Sequence, residues 1–218
     1  GLPAAGMATK VFVFGASGHA KVVIDILERM PEVEVAFAVD DAPETKGKTL
    51  CGYPIIGGRD ELRAQRAPAP AGIVTIGDNA ARRDIAVWLT GQGYQLARAI
   101  HPAATLARGI TIGNGTAIMA GCVINSDTAL GANVIVNTGA TIDHDCVIGD
   151  CVHIAPGCHL CGGVKVGAGS FLGAGTTVIP GMRIGANAVI GAGSTVLDHV
   201  ADGARVAGSP ARPLAGAQ

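Results

Sequence analysis

Histidine is the side chain that changes charge nearest neutrality, and the sequence sets His144 where an imidazole stands clear of any core. It falls two residues after the aliphatic Ile142, at a corner whose side chains point outward. An outward imidazole of near-neutral pKa can serve as a general base; a solvated turn histidine is the alternative. His153 and His159 also point outward, each five residues after an aliphatic anchor, and a plain surface role suits His159 better. A second constellation is the loop Gly15-Ala16-Ser17-Gly18-His19. Backbone N–H groups where such a loop enters a helix can receive a phosphate. Asp40 or Asp41, closing the next strand, would then accept hydrogen bonds from a base or ribose. The loop lacks both G-x-G-x-x-G and the lysine-serine pair of a P-loop, so a tight strand-to-helix turn beside solvated carboxylates remains the alternative.

The element that must position His144 is a six-residue repeat. Steps of six from Ile100 give Leu106, Ile112, Ile118, Ile124, Leu130, Val136, Ile142 and so on to Val196, and all seventeen positions are aliphatic. Four residues after each anchor stands a small or medium side chain such as Thr116, Cys122, Cys146 or Cys158. The third residue after the anchor is Gly, Asn or Asp in fourteen of the seventeen hexads. Those residue types tolerate the left-handed conformation that a sharp corner needs, so each hexad specifies a strand and then a corner. The pattern resembles the left-handed parallel β-helix of the hexapeptide acyltransferases, in which three hexads make one triangular coil; the handedness comes from the resemblance. Composition fits a thin aliphatic prism: of 33 glycines, 21 follow Ala99, whereas six of the seven aromatics precede it.

The first part of the chain alternates strands and helices. Lys10 to Phe14, Val33 to Val39 and Ile73 to Ile76 read as strands, and Ala20 to Met30 and Asn79 to Thr90 as helices. That order implies a small Rossmann-like α/β domain with a parallel sheet and a ligand at the carboxyl ends of its strands. The expected organisation is a leader at residues 1–9, an α/β domain at 10–99, a β-helix at 100–201 and a closing segment at 202–218. The stretch before Met7 reads as a tag remnant. A net charge of −1 gives no field for nucleic acid or anionic lipid, and no run of apolar residues is long enough to span a membrane. The six cysteines read as small buried thiols of a cytoplasmic protein, with no disulfide frame.

Five segments together carry a closer resemblance: Phe14-Gly15-Ala16-Ser17-Gly18-His19, the pair Asp40-Asp41, Gly77-Asp78-Asn79 with Arg82-Arg83, Ile100-His101-Pro102, and Thr141-Ile142-Asp143-His144-Asp145-Cys146-Val147-Ile148-Gly149. From Lys10 to about Pro213 the chain resembles bacterial N-acetyltransferases of nucleotide-linked 4-amino-4,6-dideoxy sugars. These are the UDP-linked bacillosamine-pathway and GDP-perosamine enzymes, with the sialic acid O-acetyltransferases as close relatives.

The resemblance implies a cytoplasmic, acetyl-CoA-dependent enzyme of polysaccharide biosynthesis, a homotrimer with sites between subunits and no metal. It matches His144 to the general base and Asp145 to its carboxylate neighbour, where the family often has the longer Glu. Nucleotide sugar is expected at Gly15, Ser17, Gly18, His19, Asp40 and Asp41. His153 matches a second histidine near the transfer site, and the Gly162 N–H an oxyanion donor. Acetyl-CoA would run past Gly173, Ala174 and Ile179. Some left-handed β-helix enzymes are zinc carbonic anhydrases, but the spacing of residues 144, 153 and 159 does not fit their histidine set. The alternatives are O-acetylation of sialic acid or a related sugar, and a β-helical scaffold without chemistry.

Overall fold

The computed structural model describes residues 8–65 and 71–214; residues 1–7 of the expected leader at 1–9 and the last four residues of the closing segment lie outside them. Strand β1 (Thr9–Phe14) leads through the glycine loop into helix α1 (Gly18–Glu28) and strand β2 (Val33–Val39). A hairpin of β3 (Thr49–Leu50) and β4 (Tyr53–Pro54) precedes helix α2 (Arg59–Ala64), strand β5 (Ala71–Val74) and helix α3 (Asn79–Gly91). Strands β2, β1 and β5 form a parallel sheet in that order. Both faces of β1 are covered, so Val11, Phe12, Val13 and Phe14 are all buried. Val11 and Val13 pack toward α1, while Phe12 and Phe14 pack toward α2 and α3, the period-2 alternation of a strand. Phe12 stacks on Phe37 at 5.5 Å and meets Tyr94 edge-on at 5.3 Å, which gathers the aromatics of this half on one side of the sheet.

The sequence reading places the third strand at Ile73 to Ile76, but β5 ends at Val74. Thr75 keeps its N–H on Phe14 O at 2.8 Å while its Oγ1 donates to Gly15 O at 2.7 Å, and the Ile76 carbonyl turns away to Arg82, so the ladder ends there. The β3–β4 hairpin and α2 carry no strong periodicity, and the sequence gives no sign of them.

From Ala99 onward the chain is a β-solenoid of about six turns. Two-residue strands pair parallel with the strand 18 residues away, as in Val123↔Thr141 and Ile135↔His153, and form three sheets. This is the left-handed β-helix architecture of hexapeptide repeats. All fourteen Gly, Asn and Asp corner positions adopt positive φ, as with Gly139 at 68° and Asp145 at 57°; so does Cys151 at 57°, one of the three corners outside that set. Anchors such as Ile124, Ile142 and Val178 are fully buried, whereas Leu106, in the first coil, is 37% exposed at the open end of the prism.

The inward small residues have a polar task as well as a steric one. Thr128 Oγ1 donates to Asp143 O at 2.8 Å, Cys122 Sγ to Asn137 O at 3.1 Å and Cys158 Sγ to Gly173 O at 3.2 Å. Each bond satisfies a corner carbonyl that the strand ladder cannot reach. Cys122, Cys146, Cys151 and Cys158 are buried and all six thiols are unpaired, but Cys51 is exposed in the β3–β4 turn and Cys161 half-buried, which corrects the reading of six buried thiols. Past Val200, Arg205–Ala207 adds parallel to Val189–Ile190 and Arg212–Pro213 folds back antiparallel.

The α/β domain sits on one face of the prism through α1, and a single apolar cluster runs from Val11, Val23 and Leu27 into Ile118, Val136 and Ile154. Arg82 of α3, 1% exposed, bridges the two parts by donating from Nε to Asn133 O at 2.8 Å and from Nη2 to Cys151 O at 2.9 Å.

Two kinds of glycine follow from this packing. A Cβ on Gly167 would run into the backbone of Gly185 and Ala186 in the next coil, whereas one on Gly139 meets nothing within 4 Å but stands on a residue at φ 68°. Gly167→Ala should therefore cost about 3 kcal/mol by overpacking and Gly139→Ala about 1 kcal/mol by conformation alone. Gly139→Asn should lie closer to wild type than Gly139→Ala. Urea unfolding of the three variants measures this order.

Candidate active site

The corner Asp143-His144-Asp145 joins the strands Thr141–Ile142 and Val147–Ile148. Because Asp145 is the left-handed residue of that corner, its carboxylate folds back on its neighbour and Oδ2 lies 2.7 Å from His144 Nδ1. The short Asp therefore reaches the imidazole. An ionised carboxylate only accepts, so Nδ1 carries the proton and Nε2 presents its lone pair outward. Asp143 Oδ1 accepts the His144 backbone N–H at 2.9 Å and Asn125 Nδ2 at 2.8 Å, which fixes the backbone beneath the ring. The hydrogen bond that Nδ1 donates to Asp145, then the negative charge of Asp143, raises the His144 pKa above its ordinary 6.5. The His144 side chain is 60% exposed, so the imidazole faces open surface.

One coil further on, Gly162 forms the seat of the ring. A Cβ there would lie 2.6 Å from both Cε1 and Nε2 of His144. The Gly163 N–H donates to His144 O at 2.9 Å, while the Gly162 N–H has no acceptor among the described residues. A bare Cα and a free backbone donor thus stand beside the basic nitrogen.

His153 occupies a different environment. It follows His144 by nine residues, half of an 18-residue coil, and so lies across the prism on the face that the α/β domain covers. Its Nδ1 is 3.3 Å from Gly77 O, its Nε2 is 3.4 Å from Asn137 Nδ2, and its ring meets Phe171 edge-on at 5.2 Å. A single chain does not bring His153 to His144. Gly173 and Ala174 stand on the corner after Phe171–Leu172, also away from His144, whereas Ile179 shares the His144 corner two coils on.

In the α/β domain, Gly15 takes φ 118°, and a Cβ on it would press on the Thr75 carbonyl at 2.9 Å. Ser17 precedes α1 without capping it through its side chain, and a Cβ on Gly18 would meet nothing. Asp40 spends its carboxylate on the loop itself: Oδ2 accepts Ala16 N–H at 2.8 Å and Oδ1 accepts Ala42 N–H at 2.9 Å. Asp41 Oδ1 accepts Arg59 N–H at 3.1 Å, and Arg59 Nε lies 3.0 Å from its Oδ2. The two acids border a cleft of about 650 Å³ with Lys46, Arg59, Arg63 and Trp88; the glycine loop does not line it. His19 Nε2 is buried without a partner among the described residues. Burial first, then each other's proximity or that of Arg82, lowers both His19 and His153 to about 4, so both rings are neutral at pH 7. Among the described residues no three His, Cys, Asp or Glu side chains converge as a metal site.

Sequence reasoning gave no role to Arg82, Asn79 or Asn125. An arginine inside an amphipathic helix reads as a solvated face, and only its five protein acceptors reveal a buried junction.

The model for the PglD N-terminal domain matches residues 10–89, and that for the bacterial transferase hexapeptide (six repeats) matches residues 145–180. The acetyltransferase domain of PglB from Neisseria gonorrhoeae FA1090, in complex with acetyl coenzyme A, is 36% identical with a TM-score of 0.89; the match covers 95% of this chain and 100% of that one. PerB from Caulobacter crescentus, in complex with CoA and GDP-perosamine, is 39% identical with a TM-score of 0.89, covering 97% and 98%. A histidine-to-asparagine variant of perosamine N-acetyltransferase from the same organism, with the same two ligands, matches equally well. WeeI from Acinetobacter baumannii AYE is 27% identical with a TM-score of 0.87, covering 96% and 100%. No curated protein matches this chain.

The pair at the corner makes an electrostatic prediction. NMR titration should find the His144 pKa above 6.5, and Asp145→Asn should lower it, since the neutral amide withdraws the acceptor that favours the imidazolium. An unchanged value in the variant would contradict the Nδ1–Oδ2 bond.

Proposed function

Starting from the family to which this chain belongs, the sugar acetyltransferases that join a PglD-type domain to a hexapeptide β-helix, we propose that it acetylates the 4-amino group of a nucleotide-linked 4-amino-4,6-dideoxy sugar. The acetyl donor is acetyl-CoA, as cosubstrate. The observation that carries the reading is the His144–Asp145 bond of 2.7 Å, which leaves an exposed Nε2 over the bare Cα of Gly162. Two of the matched proteins support the substrate class: PerB is in complex with CoA and GDP-perosamine, and PglB with acetyl coenzyme A.

A sugar ammonium must lose a proton before its nitrogen can attack a thioester. His144 Nε2 takes that proton, and Asp145 holds the ring in the right tautomer and stabilises the imidazolium. The amine adds directly to the acetyl carbonyl, with no acyl-enzyme, and the free Gly162 N–H is positioned to donate to the oxyanion. The imidazolium of His144 then gives its proton to the CoA sulfur as the C–S bond breaks, and the freed ring takes the second proton that the nitrogen loses in becoming an amide. Sugar nucleotide binds at Gly15, Ser17, Gly18 and His19, with Asp40 shaping the loop and Asp41 at the neighbouring cleft.

Gly173 and Ala174 lie on another corner from His144, so acetyl-CoA running along them reaches the base only across a subunit boundary. That supports a homotrimer with sites between subunits, to which His153 of one copy contributes beside His144 of the next. Six unpaired thiols support a reducing, cytoplasmic setting. No helix among the described residues is long and apolar enough to cross a membrane.

His144→Asn should cut turnover about 10²-fold or more with the fold intact; near-normal turnover would end the base assignment. Wild-type rate should rise with pH through the raised His144 pKa, because only the neutral ring accepts a proton, and Asp145→Asn should shift that limb to lower pH. Thermal shifts with acetyl-CoA, UDP-sugars and GDP-sugars should show binding by acetyl-CoA and one nucleotide class; no response to acetyl-CoA would favour a scaffold. Light scattering should give a trimer mass, and a monomer would contradict the shared site.

A further inference from the structure

Arg82 takes no part in the chemistry above, yet every N–H of its guanidinium is committed. Beyond the bonds to Asn133 O and Cys151 O, Nη2 donates to Asn79 Oδ1 at 2.7 Å, and Nη1 to Ile76 O at 3.1 Å and Gly77 O at 3.0 Å. Asn79 Nδ2 donates in turn to Gly169 O at 3.0 Å and Ser170 O at 3.1 Å. Residues 133, 151 and 169 are the left-handed residues of three successive coils on one corner. One short segment, Ile76 to Arg82, therefore grips a ladder of corner carbonyls along the prism. The start of that segment abuts the glycine loop: Thr75 Oγ1 bonds to Gly15 O, and a Cβ on Gly15 would meet Ile76 Cγ1 at 2.8 Å.

We infer that Arg82 is a positioning residue for acetyl transfer, locking the glycine loop in one geometry relative to the β-helix and so setting where the bound amine meets the base. The catalytic part of this inference rests on the proposed function. Apolar contacts alone would hold the domains together while letting them slide. A planar fork with five acceptors allows one docking geometry, and misplacing reacting atoms by about 1 Å can cost about 10²-fold in rate. Desolvation lowers the Arg82 pKa to about 10, so the fork stays charged at neutral pH.

The test uses the full chain with Arg82→Lys, Arg82→Met and Asn79→Ala. For the Arg82 variants kcat should fall about 10- to 100-fold, with the KM for acetyl-CoA within twofold and the pH limb of His144 unmoved. Lysine should not rescue, because one ammonium cannot reproduce the fork. Scanning calorimetry should turn one transition in wild type into two in Arg82→Met, as the domains uncouple. A folded variant with kcat within twofold of wild type, rescue by lysine, or a rate loss matched by an equal rise in the acetyl-CoA KM would each overturn the inference. If Arg82→Met fails to fold, Asn79→Ala keeps the guanidinium and carries the same readouts, with a three- to tenfold loss expected; unchanged kcat there overturns the inference. If wild type acetylates no nucleotide-linked amino sugar, the proposed function falls, and calorimetry decides Arg82 alone: a single transition in both Arg82→Met and Asn79→Ala overturns it.

Discussion

One conformational demand recurs down the second half of this chain: from Gly109 to Gly193 every sixth residue turns a corner in the left-handed region. Where the corner is glycine the turn is nearly free of strain, and where it is Asn or Asp the short polar side chain tolerates it. Because the demand repeats without interruption, residues 18 apart stack directly, and their backbones pair in register. That stacking puts Gly162 under His144, seats the imidazole on a bare Cα, and aligns the carbonyls of residues 133, 151 and 169 for the neighbouring domain. A single insertion in the corner column would break all three relations.

The same corners divide labour between charge and burial. At Asp143-His144-Asp145 the first acid is half-buried, the second exposed, and the histidine pKa raised; nine residues on, His153 is pressed under the α/β domain and held neutral. The two imidazoles differ in pKa direction because one gains carboxylates and the other loses water. His19 and His153 are depressed to about 4 in the folded state, against 6.5 for the free side chain. Their contribution to stability is thus whole above about pH 6.5 and is lost as the pH falls toward 4.

The junction between the two parts carries a charge that apolar packing could have avoided. Burying a guanidinium is tolerable only when all its donors are paired, and Arg82 meets that condition through four backbone carbonyls and one amide oxygen. Each of the four carbonyls lies outside ordinary ladder bonding, just past β5 or at a corner. The arrangement therefore satisfies groups that a continuous apolar interface would leave unpaired.

Sequence alone determined the repeat, its corners, the inward small residues and the parallel sheet of the first domain. Those are local: a period of six, a period of two and the φ tolerance of Gly, Asn and Asp are written in neighbouring residues. It also marked His144 as outward, because a corner position fixes direction. Tertiary structure decided that Asp145 reaches the ring, since the left-handed turn compensates for its missing methylene. It decided too that Gly162 is bare for the sake of His144, that Asp40 holds its own loop, that His153 stands across the prism, and that Arg82 is buried. These relations join residues a coil or a domain apart, and separation along the chain carries no trace of them until the coils stack and the domains dock.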